Sequence, residues 1–261
     1  MSDVWASGDA YEAYVGRWSR RVADEFLKWI AVPVGGAWLD VGCGTGELTR
    51  VILVRSQPAA VTGVDPSRAF LALALERTPN RRAEFREGGA QALPFEDSRF
   101  DACVSGLVLN FVPEPERGVS EMARVTRRGG TVAAYIWDYA GKMEMIRYFF
   151  DAAVTLHPAA ADVDEGSRFP ICSPEGLVAL FTSAGLREVT TRAIDVPTRF
   201  RDFDDYWTPF LAGTGVAPAY AMSLSDPERA TLRESLKASL PVQPDGSIRL
   251  IARAWAVQGT T

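Results

Sequence analysis

The segment that most constrains this chain runs Ala37-Trp38-Leu39-Asp40-Val41, then Gly42-Cys43-Gly44-Thr45-Gly46, then Glu47-Leu48-Thr49-Arg50-Val51-Ile52-Leu53. An apolar strand ends in a carboxylate, turns on three glycines and opens a helix. The glycines permit left-handed backbone and the close approach of main-chain N–H groups to a ligand. The helix that follows points its unpaired N-terminal N–H groups at the same place. In open α/β sheets such a turn lies at the carboxyl ends of the strands, where ligands bind. The segment therefore predicts an α/β fold with a nucleotide-type ligand over Gly42 and Gly44.

Two residues narrow the ligand. Asp40 stands immediately before the turn, where a carboxylate repels a pyrophosphate and attracts a cation. The glycines are spaced Gly-x-Gly-x-Gly, not the Gly-x-Gly-x-x-Gly of dinucleotide sites. S-adenosyl-L-methionine fits these demands, with its ammonium, its sulfonium, an adenosine and no phosphate. A second apolar strand, Val61-Thr62-Gly63-Val64-Asp65, ends in another carboxylate about twenty residues on, where ribose hydroxyls are held in such folds. Asp65 can accept from both hydroxyls.

The successive runs DVGCGTG (40–46), GVDPS (63–67), GGAQALPFEDSRFDACVSG (88–106) and EMARVTRRGGTVAAY (121–135) resemble the motifs of class I S-adenosylmethionine-dependent methyltransferases. The likeness covers roughly Leu39 to Trp137 and is nearest to the small-molecule type that includes the quinone-biosynthesis enzymes. It implies a Rossmann-like, seven-stranded, mostly parallel sheet with helices on both faces and an antiparallel last hairpin. It also implies that Asp40, Gly42 and Gly44 hold the methionine end, Asp65 with Pro66 the ribose, and Ser105 lines the methionine end after the fourth strand. Family members carry an acid before the alanine of the third motif, whereas this chain has Gly88-Gly89-Ala90-Gln91. The backbone N–H of Ala90 and the amide of Gln91 are left to read the adenine. Arg127-Arg128-Gly129-Gly130 replaces the usual Arg-Pro-Gly-Gly turn before the fifth strand.

The rest of the chain fits that plan. Tyr14, Trp18, Val22, Phe26 and Ile30 recur at helical spacing, so residues 1–34 read as a helical cover. Residues 35–138 alternate strand and helix: strands at Val61–Asp65, Ala83–Glu87, Phe100–Ser105 and Thr131–Trp137, with helices from Ser67 and near Val119 to Val125. Apolar strands joined by helices demand a parallel sheet covered on both faces. Residues 139–172 and 197–246 read as aromatic-rich helical lid insertions into a single domain. Ser173-Pro174-Glu175 and Ser225-Asp226-Pro227-Glu228 are helix starts. Arg187 to Val196 and Ser247 to Val257 alternate as the last two strands.

The resemblance also implies that the leading segment folds over the cofactor, with Tyr14 packing there and Arg17 set against its carboxylate; core packing is the alternative for Tyr14, and a charge on the outer face for Arg17. Asp138, after the fifth strand, is placed to act as a base for an acceptor that must lose a proton, or to serve as a structural hydrogen-bonding group. The sulfonium already activates the methyl group, so positioning and exclusion of water suffice for many acceptors. The sole histidine, His157, precedes a proline at a helix end. Rings at Tyr135, Trp137, Tyr139, Phe149, Phe150, Phe169, Tyr206, Trp207 and Phe210 suggest an apolar or aromatic small-molecule acceptor, or a core of the insertions' own.

At 261 residues and 47% hydrophobic content the chain can bury a sizeable core. A net charge of −5 lacks the positive field that a nucleic-acid partner requires. No basic-then-apolar leader and no membrane-length apolar run is present, which points to the cytoplasm. Three widely spaced cysteines, Cys43, Cys103 and Cys172, indicate neither a disulfide framework nor a metal site. The sequence thus reads as a methyltransferase releasing S-adenosyl-L-homocysteine, of open oligomeric state. The rivals are a non-enzymatic S-adenosylmethionine-binding module and a dinucleotide-dependent oxidoreductase.

Overall fold

The computed structural model describes residues 16–30, 32–213 and 215–261. The chain divides into two compact units. One, the sheet unit, comprises Ser19–Ile136, Ile171–Ile194 and Ala254–Thr261; the other, the helical unit, comprises the chain up to Trp18, Trp137–Pro170 and Asp195–Arg253.

The sheet unit alternates strand and helix as the sequence requires. In chain order the elements are α1 (Arg17–Trp29), β1 (Ala37–Val41), α2 (Glu47–Arg55), β2 (Ala60–Asp65), α3 (Arg68–Arg77), β3 (Ala83–Glu87), β4 (Phe100–Gly106), α4 (Pro115–Val125) and β5 (Thr126–Trp137). Strand order is β3-β2-β1-β4-β5-β7-β6, with β6 at Arg187–Phe200 and β7 at Ile248–Thr260. Pairs β1·β2, β1·β4, β2·β3 and β4·β5 are parallel, with Asp40 opposite Gly63 on one side and Val104 on the other. Trp38, Leu39 and Val41 are buried because helices cover both faces. Strand order reverses at β1, which places the switch point of the sheet at the end of that strand.

The last two strands run against the rest. Gly129 N–H donates to the Thr261 carbonyl at 3.1 Å and Asp138 N–H to the Arg253 carbonyl at 3.0 Å, so position falls along β7 as it rises along β5. Arg187 likewise bonds Thr261, Glu188 bonds Thr260, and Asp195 bonds Arg253, an antiparallel register between β6 and β7. The fold is the expected Rossmann-like sheet of seven strands with an antiparallel last hairpin.

Three boundaries differ from the sequence reading. Arg127 to Gly130 form no turn before the fifth strand: β5 starts at Thr126, and these residues make a bulge between the pairs Phe100–Thr126 and Ala102–Thr131. Gly129, at φ +73°, supplies its left-handed residue, and Thr261 takes up the freed polar groups of Arg127, Gly129 and Gly130. β6 continues to Phe200 and β7 to Thr260, since pairing with each other extends strands past the alternating residues. The described part of the leading helix begins near Arg17; Tyr14 lies outside the described residues.

Expected helix starts are capped as their side chains predict. Ser67 Oγ accepts from Phe70 N–H at 3.3 Å, Ser173 Oγ accepts from Gly176 N–H at 3.1 Å, and Ser225 with Glu228 forms a capping box. Among the described residues no helix is long and apolar enough to cross a membrane.

The helical unit has a core of its own. Phe149 stacks on Phe210 with centroids 4.6 Å apart, Tyr206 packs on Phe210 and Phe200, and the Tyr206 hydroxyl donates to the Met145 carbonyl at 2.9 Å. Phe149, Phe150, Phe200, Tyr206 and Phe210 are fully buried. Arg147 grips the Asp164 carboxylate with both terminal nitrogens.

Gly63 carries a packing constraint on β2. A Cβ there would lie 2.6 Å from the Phe85 ring and 2.8 Å from Cys43 Sγ. Gly63→Ala should cost about 1–3 kcal/mol through overpacking, read as a lower urea midpoint at unchanged slope. An unchanged midpoint would show that β2 and β3 have room to part.

Candidate functional site

The carboxyl ends of β1 and β2 bring together the two carboxylates and the glycine turn. Asp40 is 1% exposed. Its Oδ2 accepts from the Thr49 hydroxyl at 2.7 Å, while Oδ1 meets no hydrogen-bond donor among the described residues. Burial pushes its pKa up to about 7; Thr49 pulls the other way, and the nearby charge of Asp65 adds to the rise. Thr49, in the first turn of α2, was not singled out by the sequence reading. Its place nine residues after the carboxylate, past a turn that folds back, is the signal that could have found it.

The turn is hooked onto β2. Gly42 and Cys43 N–H groups both donate to the Val64 carbonyl, at 2.8 and 3.0 Å. Gly44 N–H donates to Asp65 Oδ2 at 3.0 Å, and Ser67 N–H donates to Asp65 Oδ1 at 2.8 Å. Each oxygen of Asp65 therefore spends one lone pair on backbone and keeps another. Burial raises the pKa of Asp65, against the pull of those two N–H groups.

Gly42 and Gly44 have positive φ, and they differ in what a side chain would meet. A Cβ on Gly42 would sit 2.6 Å from both γ carbons of Val108, whereas one on Gly44 meets nothing within 4 Å. Gly44 thus presents bare backbone to open space. Cys43 is buried, and burial beside the Asp40 carboxylate raises its thiol pKa, which makes it an inert packing group.

The third motif lies on the same rim. Gly88 N–H donates to the Asp65 carbonyl at 3.2 Å, and Gly89 and Ala92 close a small loop that displays Ala90 and Gln91. Both are half-buried. Pro66 is exposed beside them. Ser105 is buried, and its hydroxyl donates to the Val41 carbonyl at 2.9 Å, tying the end of β4 to the end of β1.

Arg17 and Asp138 belong to the helical unit. The Arg17 guanidinium lies 4.5 Å from the Trp18 ring and 4.7 Å from Phe200, and its Nη1 is 3.3 Å from Asp205. Its carboxylate partner in this structure is therefore a side chain of the same unit, and it is not a freely solvated charge. Asp138 is buried; its Oδ2 accepts from Lys142 N–H at 2.9 Å, and its carbonyl accepts from Gly141 and Met143. These bonds shape the loop that leads into helix α5 (Glu144–Leu156).

This constellation has counterparts among known proteins. Residues 39–134 match the family described as a methyltransferase domain. Demethylmenaquinone methyltransferase of Roseiflexus castenholzii is 31% identical over 175 residues, which cover 63% of this chain and 73% of that protein. The chain belongs to the class I S-adenosylmethionine-dependent methyltransferases. S-adenosyl-L-methionine is accordingly its cofactor, and the demethylmenaquinone relative places it with the quinone-biosynthesis type.

Phosphatidylethanolamine N-methyltransferase of Cereibacter sphaeroides is 44% identical over 102 residues, 38% of this methyltransferase and 49% of that protein, so the match spans about half that relative's length. Phosphoethanolamine N-methyltransferase 2 of Haemonchus contortus, solved with S-adenosyl-L-methionine, shares the fold at a TM-score of 0.61 and 17% identity. That match covers 97% of this chain and 56% of the solved one.

The raised pKa of Asp40 gives a pH dependence with a defined sign. Its folded value lies above the ordinary unfolded value near 4, so its stabilising contribution is present below about pH 4 and is lost as pH rises through about 7. Without cofactor, the wild-type Tm should fall relative to that of Asp40→Asn between about pH 4 and 7 and run parallel to it above that. Tm curves parallel throughout would show that Asp40 does not titrate in that window.

Proposed function

We propose that this chain transfers a methyl group from S-adenosyl-L-methionine to an apolar or aromatic small-molecule acceptor and releases S-adenosyl-L-homocysteine. The observation that carries the reading is the buried Asp40 carboxylate, whose Oδ1 is unpaired among the described residues, beside an open glycine turn. A buried carboxylate without a cationic partner is costly, and an ammonium group at Oδ1 would offset that cost.

Asp40 would take the ammonium, the Gly42–Gly44 backbone would pass along the methionine chain, and the free lone pairs of Asp65 would accept the two ribose hydroxyls. Ala90 N–H and the Gln91 amide would meet the adenine. Ser105 would line the methionine end, its hydroxyl donating to the Val41 carbonyl and keeping lone pairs with which to accept. Bound cofactor supplies an activated methyl group on a sulfonium, whose sulfur takes back the bonding pair on transfer. The protein's own task is to fix the distance and line of approach and to exclude water. Arg17 and Asp138 are given no step in this reading: Arg17 Nη1 pairs with Asp205 and Asp138 Oδ2 accepts from Lys142, while Arg17 Nε and Nη2 are buried without a hydrogen-bond partner among the described residues.

The acceptor class is supported by the demethylmenaquinone relative, whose 175-residue match is longer than the 39–134 core. A cationic acceptor gains no support from Asp202, Asp204 and Asp205. Asp202 caps a helix, Asp204 pairs with Arg233, and Asp205 pairs with Arg17. A dinucleotide-dependent oxidoreductase is opposed by the same Asp40, which would repel a pyrophosphate.

Calorimetric titration with S-adenosyl-L-methionine, S-adenosyl-L-homocysteine and NADH tests the site. The first two should bind and NADH should not, and Asp40→Asn and Asp65→Ala should each weaken cofactor binding by about 1–3 kcal/mol, the scale of a lost charge-assisted hydrogen bond. Unchanged affinity in folded variants of both would sink the assignment. Transfer of labelled methyl to 1,4-naphthohydroquinone is the expected activity; donor binding with no transfer across quinols, phenols and amines would instead make this a binding module.

A further inference from the structure

The connection after β4 holds three features that the cofactor reading leaves unused. Leu107 has φ +63°, a left-handed conformation that costs a non-glycine residue energy and that concentrates at functional sites. It is fixed there by its N–H, which donates to the Tyr135 carbonyl at 2.7 Å. Val108 then fills the space that the missing side chain of Gly42 leaves open, which seats this connection against the glycine turn. The chain next makes a 3-10 turn, Leu109–Phe111, and Asn110 within it is 8% exposed with its Nδ2 buried and unpaired among the described residues.

A buried amide N–H without an acceptor is costly, and such groups are uncommon in folded proteins. β4 lies on the side of β1 opposite to β2, so Asn110 stands across the switch point from Asp65. Resting on the cofactor reading above, we propose that Asn110 positions the methyl acceptor by donating its side-chain N–H to a neutral acceptor oxygen, a phenolic hydroxyl or a quinone-type carbonyl. A single uncharged donor suits a neutral oxygen, whereas a carboxylate such as that of the cofactor is better met by a cation or several N–H groups.

The test compares the wild type with Asn110→Leu and Asn110→Ala, the second covering a failure of the first to fold. Affinities are measured for S-adenosyl-L-homocysteine, then for 1-naphthol and naphthalene on the protein saturated with S-adenosyl-L-homocysteine. The expected result is unchanged S-adenosyl-L-homocysteine and naphthalene affinity and at least about tenfold weaker 1-naphthol binding, the loss of one buried hydrogen bond. The hydroxyl-free ring is the control that a merely structural residue would not pass. Equal 1-naphthol affinity in wild type and variants, or no 1-naphthol binding by the wild type, overturns the proposal. Weakened S-adenosyl-L-homocysteine binding also overturns it, by moving Asn110 to the cofactor. Failure of wild type and variants alike to bind S-adenosyl-L-homocysteine would bring down the cofactor reading, and this proposal with it.

Discussion

The structure turns on a carboxylate placed where carboxylates are expensive. Asp40 sits at the end of a central strand, with strands on both sides and helices over both faces, and one neutral hydroxyl, that of Thr49, is its side-chain donor. A fold selected only for stability would put an apolar residue there. The cost is rational if the carboxylate is completed by a ligand, because the same desolvation that raises its pKa strengthens its attraction for a cation that enters. The glycine turn, the helix start and the second carboxylate are arranged around that deficit.

Backbone hydrogen bonds transmit this arrangement from β1 to β2. The Val64 carbonyl receives two N–H groups from the turn, and the Asp65 carboxylate receives one from Gly44 and one from Ser67. The position of Asp65 is thus set by the same glycines that leave the turn open, and the separation of the two carboxylates follows from parallel register and not from side-chain flexibility. Gly88 extends the chain of bonds to the loop that displays Ala90 and Gln91. Three strand ends are therefore rigidly coupled, which is what a multi-part ligand needs of its binding surface.

What could be read from the sequence was what local chemistry decides. The strands ending at Asp40 and Asp65, the caps at Ser67, Ser173 and Ser225, and the pairing of glycine turn with acid all follow from residues within a few positions of each other. Features fixed by distant partners were hidden. The Arg127 to Gly130 bulge depends on Thr261, far off in sequence. The bond from the Ser105 hydroxyl to the Val41 carbonyl likewise joins residues 64 positions apart. Asp205 and Phe200, both far off in sequence, are what set the place of the Arg17 guanidinium. Asn110 carries no periodic or motif signal, and only its burial and an atom unpaired among the described residues single it out.

The aromatic residues show why composition alone is a poor guide to an acceptor. Phe149, Phe150, Phe200, Tyr206 and Phe210 pack on one another and are fully buried, so they stabilise the helical unit and are not available to line a chamber. Apolar rings accept many partners at similar energy and discriminate weakly among them. A single buried donor discriminates strongly, because a molecule that cannot satisfy it leaves the desolvation cost uncompensated. On the proposal made for Asn110, its one buried donor after β4 would therefore discriminate among acceptors more sharply than the rings packed inside the helical unit.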